Sequence, residues 1–329
     1  MSFITFTLRI LEEKRPGSGE DALACQTMAS DAAFIACMDG CGGSGGSRYP
    51  RFANWTGARI ASHLAGKAVS EWFENRTVSG KASTKMSAEY MAEDLAAFLK
   101  LRFHQAAGKL DEGDKISFSR LSKLFPTTLA AMLMEAVGRN RCRIRSFWAG
   151  DSRTYYFPIT GLQQTSRDNT RGDIDPFDDL IRDGIMNNVI CADNPFRVCC
   201  SEVLAEDPCM VLTATDGCFS YYVSPICLEW ILLDSLQNAE NPAAWERDLK
   251  KQIGEVSGDD YTLVLAVIGF QNFTALKKAY APRWIFFQSH YAERLQTVLA
   301  QGNVEAHRAL WGEYKKGYMP EILYNSENE

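Results

Sequence analysis

The chain has 329 residues, enough for one large domain or two ordinary ones and for a sizeable core. Hydrophobic residues at 46%, charged residues at 23% and aromatics at 11% are globular proportions that exclude a disordered, collagen-like or coiled-coil chain. Against 41 Asp and Glu stand 35 Lys and Arg, a formal charge of −6. With no basic run, neither nucleic acid nor a membrane is an expected partner, and only a local basic pocket is left open.

The opening MSFITFTLRILEEKR has no positive charge ahead of its apolar stretch and alternates with Thr, so it reads as a first strand over residues 3–10 and not as a signal peptide. Strand-like runs follow at 32–38, 128–135, 144–148, 154–157, 210–214 and 261–270. Two helical patterns interrupt them: Ile60, Leu64, Ala68, Val69, Trp72 and Phe73 from Thr56, then Met91, Leu95, Phe98 and Leu99 from Ser87. Residues 167–197, rich in Asp, Asn, Gly and Pro, predict a long surface excursion. Beyond 270 the strand signal stops and helix formers mixed with aromatics take over. The expected class is α+β, with mostly antiparallel sheet because helices sit between strand groups and do not alternate with single strands. The expected division is a domain over 1–270 and a helical extension over 271–329, which packs on the domain or binds a partner.

Ten cysteines without a C-x-x-C pair and four scattered histidines make a disulfide scaffold or a zinc site poor readings. They predict reduced thiols in a cytoplasmic protein, with any metal held by oxygen ligands. The longest clean apolar run, 263–270, has strand length and falls far short of a membrane span.

Three acidic positions share one context. Asp39-Gly40 ends AAFIACMDG, Asp216-Gly217 ends MVLTATDG, and Asp259-Asp260 leads into YTLVLAVIGF. A lone Asp-Gly is a turn signal. Three at apolar strand ends are costly unless something positive compensates them, and a divalent cation compensates several at once. Oxygen ligands without histidine select magnesium or manganese. Asp151 follows a strand through Gly150, and Glu20-Asp21 lies between the first strand and the next.

The order GED (19–21), DGCGG (39–43), TTL (127–129), GDSR (150–153) with TSRD (165–168), TDG (215–217) and GDD (258–260) resembles the PPM or PP2C family of metal-dependent protein serine/threonine phosphatases. The resemblance covers residues 1 to about 270. It implies a PP2C-like α/β/β/α sandwich of two antiparallel β-sheets flanked by helices, with two Mn²⁺ or Mg²⁺ ions at one end and a weaker third. It further implies that Asp39 bridges both ions, that the carbonyl of Gly40 completes one, and that Asp216 and Asp259 hold the other. Glu20 and Asp21 correspond to an acidic pair that orders metal waters, Asp151 to the acid at the third metal, and Arg15 to the phosphate-binding arginine, with Lys14 its competitor in register. The implied reaction is hydrolysis of phosphoserine or phosphothreonine in protein substrates by in-line attack of a metal-bridging hydroxide.

The chain departs from that pattern after Asp39-Gly40, where family members often carry histidine and this one has Cys41 and Ser44. That leaves the proton donor to the serine alkoxide unassigned. A metal-bound water or Cys41 competes for the role, and packing is the favoured reading of Cys41. The missing histidines also motivate the alternative of a catalytically impaired binding or scaffold domain; the complete set of acids argues for activity. Residues 40–45 formally satisfy G-x-G-x-x-G, yet no helix is predicted before Thr56, so a dinucleotide site is a poor reading.

Overall fold

Strands β3 (Ala32–Met38) and β12 (Tyr261–Ile268) are apolar at almost every position instead of alternating, as strands covered on both faces are. The computed structural model describes residues 3–28, 31–78, 86–110, 122–138, 141–172, 175–180 and 184–320. Among them, two five-stranded antiparallel sheets stack face to face. One is ordered β1-β12-β11-β8-β9, where β1 is Ile4–Glu12, β8 Arg153–Phe157, β9 Gln163–Gln164 and β11 Cys209–Ala214. The other is β10-β7-β6-β3-β2, with β2 at Ala22–Met28, β6 at Leu129–Ala136, β7 at Cys142–Ala149 and β10 at Cys199–Ala205.

Three apolar layers follow from the period of two. Ala33 and Ile35 of β3 join Val264, Ala266 and Ile268 of β12 between the sheets. The opposite positions, Phe34, Ala36 and Met38, meet α2 (Gly57–Val78) and α3 (Ala88–Ala107) on the outside of one sheet. Leu263, Leu265 and Val267 face the outer side of the other, under α5 (Ile226–Asn238) and α6 (Pro242–Val256). The expected sandwich of two antiparallel sheets flanked by helices is the observed one. Strands β2 and β10 and the helices α5 and α6 went unread in the sequence: β2 and β10 mix polar with small residues, and the helices follow the Asp216 turn without a strong punctuation signal.

The last apolar layer is completed from the C-terminus. Helices α7 (Phe273–Phe287), α8 (Glu293–Ala300) and α9 (Val304–Tyr318) bury Leu276, Tyr280, Phe287, Leu310, Trp311, Tyr314 and Tyr318 in the same cluster as β12, α5 and α6. They also grip the excursion. Asp175 accepts from Trp311 Nε1 and Lys315 Nζ, both at 2.7 Å, and Phe177 of the short helix α4 (Pro176–Asp179) stacks on Trp311.

Candidate active site

Antiparallel register carries all the acidic motifs to one end of the sandwich. Ala22 pairs with Met38, Cys37 with Ala130 and Leu129 with Ala149, so Asp21, Asp39 and the turn before Asp151 leave their sheet together. In the other sheet Ala214 pairs with both Arg153 and Leu263, which brings Asp216 beside Asp259-Asp260. Glycines are required where these ends close in. A Cβ on Gly217 would collide with the Asp260 carbonyl oxygen, and one on Gly40 would lie 2.6 Å from Ala58 O and 2.7 Å from Glu20 O.

Threonines fix the acids in place. The Asp39 amide donates to Thr128 Oγ1 (3.0 Å), while its carbonyl accepts from Thr127 Oγ1 and from Thr128 N, each at 2.8 Å. Asp21 is buried, and its Oδ2 accepts from Thr215 Oγ1 (2.9 Å) and Thr262 Oγ1 (2.8 Å). Asp260 accepts from the amides of Lys14 and Glu20, both at 2.7 Å, and its own amide donates to Asp259 Oδ1 at 2.8 Å. The second aspartate thus clamps the loop that carries Glu20 and the first stands at its edge. Glu20 in turn accepts from Thr56.

These carboxylates lie close enough to repel one another. Burial, then Asp216, Asp21, Asp151 and Asp259, push Asp39 well above the usual carboxylate range. Burial followed by Asp216 and Asp168 does the same to Asp151, whose buried Oδ1 has no hydrogen-bond partner. Asp21 is pushed up to about 7, by burial first, against its two threonine hydroxyls. Glu20 is raised by burial, with Asp260 and Asp259 adding to it. Arg153, whose charge reaches Asp151, is tied to Asp168 at 2.6 Å and to Asp179 at 3.5 Å. The TSRD aspartate is therefore the partner of the GDSR arginine.

The donor set suits a hard divalent cation, being all oxygen with an orphaned buried carboxylate oxygen among it. Among the described residues, no three His, Cys, Asp or Glu side chains are already drawn into a ligand cluster. The acids surround a common region without closing on one point.

Arg15 is exposed, in a loop stapled by its carbonyl to Ser18 N at 3.0 Å and by Lys14 N to Asp260. Its competitor Lys14 spends its ammonium on Ser257 O at 2.7 Å. Cys41 is buried, and burial followed by Asp39 pushes its thiol well up. Ser44 Oγ donates to Cys41 O at 3.4 Å. The sequence reading gave Thr215 no role beyond its place in TDG, and missed Thr262 and the clamping role of Asp260. Thr215 directly precedes Asp216 within TDG and Thr262 follows GDD by two residues, and that adjacency was their available signal.

No family model matches the chain, and no curated protein matches it. Solved structures do. The serine/threonine phosphatase of Staphylococcus aureus is 17% identical, with a TM-score of 0.53 over 82% of this chain and 98% of its own. The Mycobacterium tuberculosis serine/threonine phosphatase PstP is 16% identical, with a TM-score of 0.53 over 80% and 98%. The catalytic domain of PstP in complex with two manganese ions gives 16%, 0.52, 80% and 98%. The fold is thus that of the PP2C-like serine/threonine phosphatases. Among the described residues, no helix is long and apolar enough to cross a membrane.

Proposed function

We propose that the chain is a metal-dependent protein serine/threonine phosphatase that hydrolyses phosphoserine and phosphothreonine in protein substrates. The observation that carries this reading is the gathering of Asp21, Asp39, Asp151 and Asp216 into one neighbourhood, where Asp216 adds to the burial that raises the proton affinity of the other three, and Asp21 and Asp151 add to that of Asp39. A chain gains nothing structural from that repulsion. Asp39, the Gly40 carbonyl, Asp216 and Asp259 would hold two Mn²⁺ or Mg²⁺ ions and Asp151 a third, weaker one. When bound, such cations supply a water that ionises near neutral pH and neutralise the phosphate it attacks.

The chain's own groups do the rest. Asp21 and Glu20, fixed by threonine hydroxyls, orient water by accepting its hydrogen bonds. Asp260 ties down the loop between Lys14 and Glu20, and Arg15 on that loop takes the substrate phosphate through its planar fork. Cys41, held neutral, packs. Ten free thiols support a reducing, cytoplasmic setting.

Hydrolysis of a phosphothreonine peptide should require added Mn²⁺ or Mg²⁺, vanish with EDTA and return when the ion is restored. Full activity after exhaustive chelation would overturn the reading. The competing one, a binding module that no longer catalyses, rests on Cys41 and Ser44 standing where relatives often have histidine. It predicts cation binding without turnover.

A further inference from the structure

Next to the acidic mouth lies a basic cavity that the phosphatase reading does not use. Strands β4 (Arg48–Tyr49) and β5 (Trp55–Thr56) form a hairpin between the DGCGG turn and α2. At its tip Ala53 (φ 54°) and Asn54 (φ 60°) are both left-handed without being glycine. Such strain persists only where the surroundings impose it, and it gathers at ligand clamps. Here the surroundings are aromatic: Tyr49 and Phe52 pack edge-on against buried Phe125 at 5.2 and 5.7 Å, and Asn54 N donates to Tyr49 O at 3.0 Å.

The hairpin, the first turn of α2 and the 17–18 loop enclose about 250 Å³, lined by Gly17, Ser18, Arg48, Asn54, Trp55 and Arg59, with Thr56 as one wall. Arg59 lies 4.6 Å over the Trp55 ring and its Nη1 donates to Gly17 O at 2.7 Å. Its Nε is buried without a hydrogen-bond partner, and the nearest carboxylate contact, Nη2 to Glu13, is long at 3.7 Å. Arg48 Nη1 donates to Asn54 O at 3.0 Å. Each guanidinium has five donors, so both are positioned by a carbonyl and keep donors to spare. The Thr56 wall is the residue that bonds Glu20, and the charge of Arg48 reaches Glu20 as well. The cavity and the acidic mouth therefore share a boundary.

We propose that this cavity is a second oxyanion subsite, which takes a phosphate or carboxylate carried by the substrate beside the reacting phosphate. A chain of charge −6 with carboxylates at its mouth repels a substrate with several acidic groups, and two fixed arginines reverse that field locally. Paired guanidinium forks suit either planar carboxylate or tetrahedral phosphate. The preferred substrate is then a protein segment with a second phosphorylated or acidic residue near the one cleaved. The identity of the substrate rests on the phosphatase reading; the binding of an oxyanion does not.

The test uses the full chain and phosphothreonine peptides with neutral flanks, each compared with versions carrying phosphoserine or Asp at successive flanking positions. With Mn²⁺, one or two positions should raise kcat/KM about tenfold over the neutral peptide, the scale of a charge-assisted hydrogen bond. In Arg48→Gln/Arg59→Gln that ratio should fall to about one, and Arg48→Gln alone, which keeps the hold of Arg59 on Gly17, should lower it at least about threefold. A gain from phosphoserine alone assigns the subsite to phosphate; equal gains from Asp extend it to carboxylates. The same peptides are titrated calorimetrically in EDTA, where the double variant should bind them about tenfold more weakly than the natural chain. If every position is neutral, or the variants keep the preference, the subsite is overturned while the phosphatase reading stands. If no peptide is turned over, that reading fails, and the calorimetric difference alone decides the subsite.

Discussion

Glu229 and Asp39 are both carboxylates withdrawn from bulk water, in regions built on opposite terms. Glu229 is fully buried under the C-terminal helices, where Arg283 Nε and Nη2 reach its two oxygens at 2.7 and 3.1 Å and Tyr314 Oη donates at 2.7 Å. Every donor there comes from this chain, and the result is a joint between α5, α7 and α9. At the mouth of the sandwich Asp39 is held through its backbone, and its charged neighbours are further aspartates. A charge kept for architecture is answered by the architecture, because an unanswered buried charge costs several kcal/mol. A cluster left to repel itself marks where the fold yields stability to something it binds.

Asp39→Asn should separate the two regions most sharply. Activity with Mn²⁺ should fall on the order of a thousandfold, while the metal-free Tm stays level or rises as repulsion is relieved. Asp151→Asn should cost less, roughly tenfold under saturating Mn²⁺, as befits a weaker third site. Equal residual rates in the two variants would show that their roles are misassigned.

Glu229→Ala should do the reverse. Removing one partner leaves Arg283 uncompensated, a loss of about 3–5 kcal/mol in urea denaturation. Below the unfolding transition the turnover of folded protein should hold. Glu229→Leu combined with Arg283→Met should recover most of the stability, since an apolar pair needs no compensation. A double variant as unstable as the single one would mean that the ion pair itself, and not its completeness, stabilises the joint.

The mouth also predicts an inverted pH dependence for the metal-free chain. Asp21 has a folded pKa of about 7 against an ordinary value near 3.8, and Asp39 and Asp151 are shifted in the same direction. Between those values the folded state binds more protons than the unfolded one, so stability falls as pH rises from about 4 to about 7. Thermal scans in EDTA should show Tm dropping by several degrees across that window, and millimolar Mn²⁺ should flatten the slope at its upper end. A Tm that rises with pH in EDTA would contradict the raised carboxyls.

The smallest effect is expected at Cys41. A thiol held well above its ordinary range by burial and by Asp39 is a poor proton donor. Cys41→Ala should change kcat for p-nitrophenyl phosphate and for a short phosphoserine peptide alike, by no more than about twofold. A loss confined to the peptide would return the thiol to the role of acid.

Much of this fold was legible because its strands announce themselves at both ends. AAFIACM, MVLTA and YTLVLAVI are apolar runs closed by Asp and Gly, and such runs report burial on both faces without any knowledge of what covers them. The acids at their ends were legible as a group, since one Asp-Gly marks only a turn but three at apolar strand ends call for a compensating charge. Less was legible in β2, whose ALACQTM owes its place to pairing with β3, and in the C-terminal aromatics, whose helix-forming neighbours showed a helix but not its target.

Sequence alone, then, determined where the apolar strands lie and which acids are out of place, because burial and desolvation act on each segment separately. Only the tertiary structure decided that Asp260 clamps the Glu20 loop while Asp259 does not, that the arginine of GDSR is answered by the aspartate of TSRD, and that Arg48 and Arg59 face one cavity. Those relations join residues up to 246 positions apart. They depend on register and on the stacking of two sheets, which no local pattern encodes.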